Sequence, residues 1–182
     1  MTAQELLLIA GRSGVGKSTV AFEVSRQLSA AGVTHCLIKG DNLSYAHPAP
    51  AGDPHRTKLT EDNLRALWGN YAARGYHRLI YTNTVSVLEV PMIERAIGGS
   101  RATSAVQLVA GDSTIEERLG RRESGAGLAE HLARSAVGAR RLDEAVGSTV
   151  VRVETDDREV ADVAAEIVRV CGWGRSESCD GR

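Results

Sequence analysis

Lysine is scarce in this chain. Of its 22 basic residues all but Lys17, Lys39 and Lys58 are arginine. Arginine presents a flat fork and lysine a compact point charge, so a lysine kept in so arginine-rich a sequence suggests a place where a point charge is needed. Cysteine is sparse too. Cys36, Cys171 and Cys179 are odd in number and lack metal-ligand spacing, which argues against a disulfide framework and a cysteine-built zinc site. No apolar run approaches the ~20 residues that cross a bilayer. The start, Met1-Thr-Ala-Gln-Glu, lacks the basic beginning of a secretory leader, so a cytoplasmic protein without membrane association is expected. A net charge of −1 gives no electrostatic reason to expect a nucleic-acid partner. With 182 residues, 42% of them hydrophobic, the chain suits one compact domain.

Short apolar runs alternate with helical patterns. Strands are expected over 5–10, 34–39, 77–82, 105–109 and 149–153. Helices are expected over 18–30, from Thr60 to Gly75, over 87–97 despite Pro91, over 113–122 with Ser113 or Asp112 as cap, over 128–145 and over 158–170. Gly32, Gly75 and the Gly98-Gly99 pair are helix stops. Leu64, Leu67, Trp68 and Tyr71 share one helical face, so Trp68 reads as core. Residues 44–58 hold Pro48, Pro50 and Pro54 and read as a long loop, the kind that often carries function. Strict alternation of strand and helix predicts an α/β fold with a parallel five-stranded sheet between two helical layers. Residues 1–174 form the expected domain, and 175–182 a polar tail.

The first strand runs into Gly11-Arg12-Ser13-Gly14-Val15-Gly16-Lys17-Ser18, a complete Walker A sequence. At average residue usage such a match arises by chance roughly once in 20,000 to 30,000 windows. Its glycines let successive backbone N–H groups converge on phosphate oxygens. The helix that follows adds its N-terminal dipole. Lys17 would reach the outer phosphates, and Ser18 would offer a hydroxyl to Mg²⁺. Gly11, Ser13, Gly14, Val15, Gly16, Lys17, Ser18 and Thr19 are therefore the expected nucleotide contacts, for ATP or GTP with Mg²⁺.

Two absences narrow the class of P-loop protein. No Asn-Lys-x-Asp sequence is present to recognise guanine as in GTPase switches. The third strand ends Tyr81-Thr82-Asn83-Thr84, without the acid typical of motor ATPases. The second strand ends Ile38-Lys39-Gly40-Asp41-Asn42. This stretch resembles the Asp-Gly-Asp-Asn of adenylylsulfate kinases and the Asp-x-Asp of shikimate and gluconate kinases. The order of features over residues 4–173 is similar to the nucleoside-monophosphate-kinase-like group, which includes chloramphenicol phosphotransferase. The resemblance implies a three-layer P-loop kinase fold. It also implies that Asp41 accepts the proton of a substrate hydroxyl or organises Mg²⁺. The alternative for Asp41 is a turn with Gly40 and Asn42. Asp41 lies at the carboxyl end of a strand expected to neighbour the P-loop strand, where ligands of open α/β sheets gather. Lys39 departs from the resemblance, since the kinases carry an acid there and a protonated lysine cannot ligate Mg²⁺. It either contacts an anionic or migrating group, as a catalytic residue, or is a solvated strand-end charge.

The same resemblance places Arg118 on the nucleotide base and makes 121–129 a lid, with Arg121 or Arg122 reaching the phosphates; Gly125 and Gly127 would let it close. A plain surface helix with pairs such as Glu117 with Arg121 explains the same residues. Thr155-Asp156-Asp157 is similar to a base-edge loop, and would also serve as a helix N-cap. Residues 42–75 are the expected acceptor region. Asn42, Tyr45, Arg56 and Lys58 are its polar candidates, with Arg56 and Lys58 suited to an anion and Tyr45 to ring stacking, and Asn83 joins them from the end of the third strand. His47 and His55 lie in one loop with no third ligand, so a metal centre there is not expected. Together these features predict a phosphotransferase that moves a γ-phosphate to the hydroxyl of a small molecule, an antibiotic among the candidates. The alternative is a nucleotide-binding sensor or a drug-sequestering module. Either would be a monomer or homodimer.

Overall fold

The computed structural model describes residues 4–121, 140 and 142–174. Five parallel strands, β1 (Glu5–Ala10), β2 (Cys36–Lys39), β3 (Arg78–Thr82), β4 (Ala102–Val109) and β5 (Val151–Glu154), form one sheet in the order β2-β3-β1-β4-β5. Helices α1 (Lys17–Ala30), α2 (Thr57–Ala72), α3 (Val90–Ile97), α4 (Asp112–Gly120) and α5 (Val160–Cys171) alternate with them. No helix among the described residues is long and apolar enough to cross a membrane.

Strand pleating divides the core in two. Leu7 and Ile9 of β1 join Ile80, Val106, Leu108 and Val153 against α1, α4 and α5. Leu6, Leu8 and Ala10 join Leu79, Tyr81, Cys36 and Ile38 against α2 and α3. Every residue of β1 is buried, as a central parallel strand with helices on both faces requires. The expected three-layer arrangement is therefore present.

The neighbour of the P-loop strand is a correction. β3, not β2, pairs with β1 on that side, and β2 is the edge strand. Burial explains the choice. Leu79, Ile80 and Tyr81 are each 0% exposed, a continuous run fit for the interior. In β2 burial alternates, which suits an edge.

Several helix ends also moved. α2 begins at Thr57, ahead of Thr60, whose hydroxyl instead donates to the Arg56 carbonyl. The Asp53 carboxylate receives the Leu59 amide at 2.9 Å and so holds the start of this helix. The run 87–97 is split. A 3-10 turn, Ser86–Leu88, precedes α3, and Pro91 sits in the first turn of α3, where its missing N–H costs no helical bond. Neither Ser113 nor Asp112 caps α4, whose N-cap is Gly111 without a side-chain bond. The helix expected over 128–145 falls mainly outside the described residues; 142–145 are helical.

One charged cluster locks the foot of the sheet. Glu5, buried at the start of β1, takes Arg78 of β3 at 3.2 Å and also pairs with Arg101, just before β4. Burial alone would raise the Glu5 carboxyl, but the bonds from Arg101 and Arg78 hold it below its ordinary value of 4.5. A carboxylate depressed in this way stabilises the fold above its unfolded pKa and ceases to do so as pH falls through its folded one. Removing one partner strands the others, although half-exposed Arg101 is screened by solvent. Glu5→Gln is expected to cost about 2 kcal/mol near neutrality and to lower the melting temperature by roughly 4–8 °C. In thermal melts from pH 7 downward, the gap between wild type and variant should close progressively below pH 4.5; a gap independent of pH would contradict the ionic account.

Candidate active site

The P-loop bridges β1 and α1. Gly11, Gly14 and Gly16 have φ of 141°, 86° and 102°, a region L side chains rarely adopt. A Cβ on Gly11 would sit 2.7 Å from the Leu108 carbonyl, and one on Gly14 would lie 2.9 Å from the Leu119 side chain. These two glycines let the loop press on its supports. Gly16 faces open space, beside the unpaired amides that begin α1. Lys17 is buried, with its ammonium donating to the Arg12 carbonyl at 3.2 Å. The side chain thus folds back over its own loop. Arg12 ties the loop to the first turn of α4 through Asp112 at 2.5 Å. The Ser18 hydroxyl, half-buried in the first turn of α1, has no hydrogen-bond partner among the described residues.

Beside this loop lies a cavity of about 210 Å³ lined by Gly14, Val15, Gly16, Thr19, Arg118, Thr155, Arg158 and Val160, among others. The nucleotide contacts expected from sequence on the base side converge here. Arg118 donates to the Val15 carbonyl, the Thr155 hydroxyl and the Thr155 carbonyl, each at 3.1 Å. Its guanidinium is therefore fixed as one wall of the cavity. Thr155 is buried, and its amide is spent on the Val109 carbonyl; its polar groups serve to orient Arg118. Asp156 does not cap α5, whose N-cap is Glu159 without a side-chain bond. It accepts the Gly111 amide at 2.7 Å instead, and this bond draws its carboxyl below the usual range. Sequence reading passed over Arg158. It lines the same cavity, held by Glu166 at 2.8 Å and the Glu154 carbonyl at 3.0 Å. Its place two residues past the Thr-Asp pair was the available signal.

The other half of the site lies at the carboxyl ends of β2 and β3. Asp41 and Asn42 belong to a 3-10 turn, Gly40–Asn42, and both are exposed. A Cβ on Gly40 would fall 2.2 Å from the Tyr81 hydroxyl, so glycine alone lets this turn close over β3. Asp41 thus lies in the turn with Gly40 and Asn42 that its alternative reading expects, and its side chain makes no hydrogen bond or ion pair among the described residues. Lys39 pairs in register with Thr82. Because Leu37 packs on the α1 side and Ile38 on the α2 side, alternation sends Lys39 to the α1 side, that of the P-loop helix. It too has no partner among the described residues.

Asn83 sits at the end of β3 as expected. Its amide group approaches Glu89 at 3.5 Å, and its carbonyl oxygen accepts the Thr84 amide. Glu89, missed in the sequence, is half-buried. Burial, and then the Asp41 carboxylate, raise its carboxyl above the usual range. Its position beside a proline-started helix gave no sign of this neighbourhood, which arises only when the turn after β3 meets the turn after β2.

The acceptor candidates divide. Tyr45 and Arg56 line a groove of about 500 Å³ with Ser44, Ala46 and His47. Tyr45 is 96% exposed, and Arg56, at φ 56°, donates to the Ala46 carbonyl at 3.0 Å. Lys58 is not part of this groove. It points to solvent from α2 and pairs with Asp62 at 3.0 Å. Trp68 is core, 3% exposed. Arg121 forms the surface pair with Glu117 at 2.5 Å. Arg122 and the rest of the expected lid lie outside the described residues. No cluster of three or more His, Cys, Asp or Glu side chains able to hold a metal occurs among the described residues.

The sequence reading places Arg118 on the nucleotide base, and it lines the cavity beside the P-loop. Arg118→Ala is expected to weaken ADP and ATP binding alike, by about tenfold, in calorimetric titrations. A loss confined to ATP would move Arg118 to the phosphate end.

Comparison with known proteins agrees with this geometry. The adenylylsulphate kinase family profile matches residues 4–48, the span from β1 through the P-loop to the turn that holds Asp41. A gluconokinase from Sinorhizobium meliloti superposes with a TM-score of 0.62 at 20% identity, over 94% of each chain. The Deinococcus radiodurans tunicamycin resistance protein superposes with a TM-score of 0.56 at 21% identity, over 91% of this chain and 94% of that one. For the Mycobacterium tuberculosis adenylylsulfate (APS) kinase the values are 0.54 and 18%, over 94% and 99%. No curated protein sequence matches the chain. At such identities the likeness speaks for the fold, and the fold of this chain is that of the P-loop small-molecule kinases.

Proposed function

We propose that this protein is a phosphotransferase that moves the γ-phosphate of ATP or GTP to a hydroxyl of a small molecule. The observation that carries this reading is Asp41. It is a carboxylate with no partner among the described residues, at the strand edge that also carries a complete P-loop. The glycine amides and Lys17 would hold the β- and γ-phosphates, and Arg118 and Arg158 would flank the base. Asp41 would orient the acceptor hydroxyl and take its proton as the oxygen attacks phosphorus. Lys39, on the P-loop side of β2, would meet the charge that accumulates on the migrating phosphoryl group. The groove at Tyr45 and Arg56 would take the body of the acceptor.

Mg²⁺ fits the donors at this place. The Ser18 hydroxyl has no partner among the described residues, and Asp41 is a carboxylate without a partner among them at the same carboxyl edge of the sheet. Mg²⁺ commonly takes only one or two protein oxygens and completes its shell with phosphates and water. It would neutralise phosphate charge; the protein's own task is to position the groups around it. An antibiotic acceptor is supported by the likeness to a tunicamycin resistance protein, and a sugar-acid or sulfonucleotide acceptor by the likeness to gluconokinase and adenylylsulfate kinase. Lys39 favours a second reading, a nucleotide sensor or drug-sequestering module, because it stands where the resembled kinases carry an acid.

One experiment separates these readings. Protein, Mg²⁺ and ATP or GTP are incubated with nucleosides, sugar acids, adenylylsulfate and antibiotics, and products are read by mass. An acceptor gaining one phosphate is expected. Asp41→Ala should lower that turnover by about 10²- to 10⁴-fold while leaving triphosphate affinity intact. Tight triphosphate binding with no product across the panel would favour the sensor. Lys17→Ala should reduce triphosphate affinity at least about tenfold with the fold retained; unchanged affinity in calorimetry would reject the P-loop site itself.

A further inference from the structure

Glu89 occupies the N-cap position of α3, yet its side chain makes no capping bond. A carboxylate there ordinarily accepts the free amides of its own helix. Here its one polar contact is the long 3.5 Å approach of the Asn83 amide. No arginine or lysine pairs with it among the described residues. The groups around it come from three elements. Asp41 belongs to the turn after β2, Tyr81 and Asn83 to the end of β3, and Glu89 itself to the start of α3. The turn that carries Asp41 and the Glu89 side chain thus both meet Asn83, and the two carboxylates repel each other.

Tyr81 provides an independent sign. It is 0% exposed, yet its hydroxyl has no well-aligned hydrogen-bond partner. That hydroxyl lies directly under Gly40, next to Asp41. Burial raises its pKa, and the negative charges of Glu89 and Asp41 raise it further, while Asn83 beside it works the other way. A half-buried carboxylate, a second one acting on it and a buried hydroxyl whose one neighbour, Asn83, is poorly aligned are each unfavourable alone. A ligand that donates hydrogen bonds to the two carboxylates relieves their repulsion.

The side of the sheet decides which ligand this is. Tyr81 faces the α2 and α3 layer. Lys39 and Thr82 alternate toward the α1 layer, where the P-loop helix lies. Glu89, at the start of α3, therefore lies on the α2 and α3 side of the sheet, and Asp41 in the turn over the Tyr81 hydroxyl.

We propose that Glu89 is a substrate-gripping residue. Together with Asp41 it selects an acceptor that carries a second donor, a hydroxyl or an amine, next to the hydroxyl that receives phosphate, and it rejects an acceptor whose neighbouring group is an acid. This rests on the kinase reading for the identity of the acceptor, but not for the grip itself. A carboxylate or sulfate at that place would meet two negative oxygens. A diol or an amino alcohol would satisfy both.

The test uses the full chain saturated with Mg²⁺ and a non-hydrolysable ATP analogue. Thermal shift and calorimetry follow two sets of probes, one of nucleosides, sugar alcohols and aminocyclitols, the other of 2-hydroxy acids and adenylylsulfate. Binding is expected from the first set. Glu89→Gln, which keeps the shape of the side chain, should weaken it about tenfold or more with analogue affinity unchanged. Glu89→Asp should recover part of the loss. With ATP in place of the analogue, the defect should appear in KM rather than kcat. If probes bind through Glu89 but none gains phosphate, the kinase reading falls and the grip stands. If an acid from the second set is phosphorylated and Glu89→Gln changes nothing, the grip falls and the kinase reading stands. Absence of binding by every member of the first set also overturns the grip.

Discussion

A phosphate cradle is an unfavourable object to build into an empty protein. Its backbone amides must converge on one small space, unpaired, and a lysine must wait beside them. The rest of this structure depends on holding that arrangement open. Gly11 and Gly14 permit the required backbone angles, and their lack of side chains lets the loop rest directly on the Leu108 carbonyl and on Leu119. Ile115 and Leu119 seal α4 against the same core as Val15. Arg12 reaches out to Asp112, and Arg118 reaches back to the Val15 carbonyl. α4 is thus bolted to the loop from both of its ends. The loop's shape is thus held by these neighbours as well as by its own bond from the Val15 amide to the Arg12 carbonyl.

The sheet then separates two kinds of chemistry. Because side chains alternate along each strand, adjacent residues at one strand end serve opposite faces. Lys39 goes to the α1 side, and the Tyr81 hydroxyl lies on the α2 and α3 side, beneath the turn that carries Asp41. The base cavity and P-loop occupy the first side, with Arg118 and Arg158 in its wall. The groove at Tyr45 and Arg56 follows Asp41 in the chain. In the kinase reading, donor and acceptor would meet at the carboxyl edge of the sheet, as in-line transfer requires.

Local features were legible in the sequence to the extent that their causes are local. The P-loop is a contiguous run whose glycines have individual backbone reasons, and the five strands announced themselves as apolar runs. Convergence of Arg118 with Thr155 was accessible only through resemblance to kinases, since 37 residues separate them. Strand order was not legible. Nothing within β2 states that β3 will enter between it and β1, and the clue, full burial of Leu79 to Tyr81 against the alternation in β2, lies in comparing strands. Lys58 looked like a partner for Arg56 because the two are close in sequence. Helix α2 begins between them and turns Lys58 toward Asp62. Glu89 was invisible for the opposite reason, as Asp41 is distant from it in the chain and joins its surroundings only in the fold.

The charges at this edge form a gradient with a direction. In the kinase reading, Lys17 and Lys39, two of only three lysines in the chain, would stand toward the triphosphate, and Asp41 with Glu89 toward the acceptor. A phosphoryl group in flight is strongly negative, so compact positive charges behind it and alongside it lower the barrier more than diffuse ones. A carboxylate ahead of it would repel it, unless that carboxylate is occupied with the proton of the attacking hydroxyl. In the kinase reading, this arrangement would disfavour transfer when no acceptor is bound and favour it when one is. An acid in place of Lys39 would add a third carboxylate to an edge that already carries Asp41 and Glu89. Lysine there offsets part of that charge, and this gives a physical reason for the departure from the Asp-x-Asp of the kinases the chain resembles.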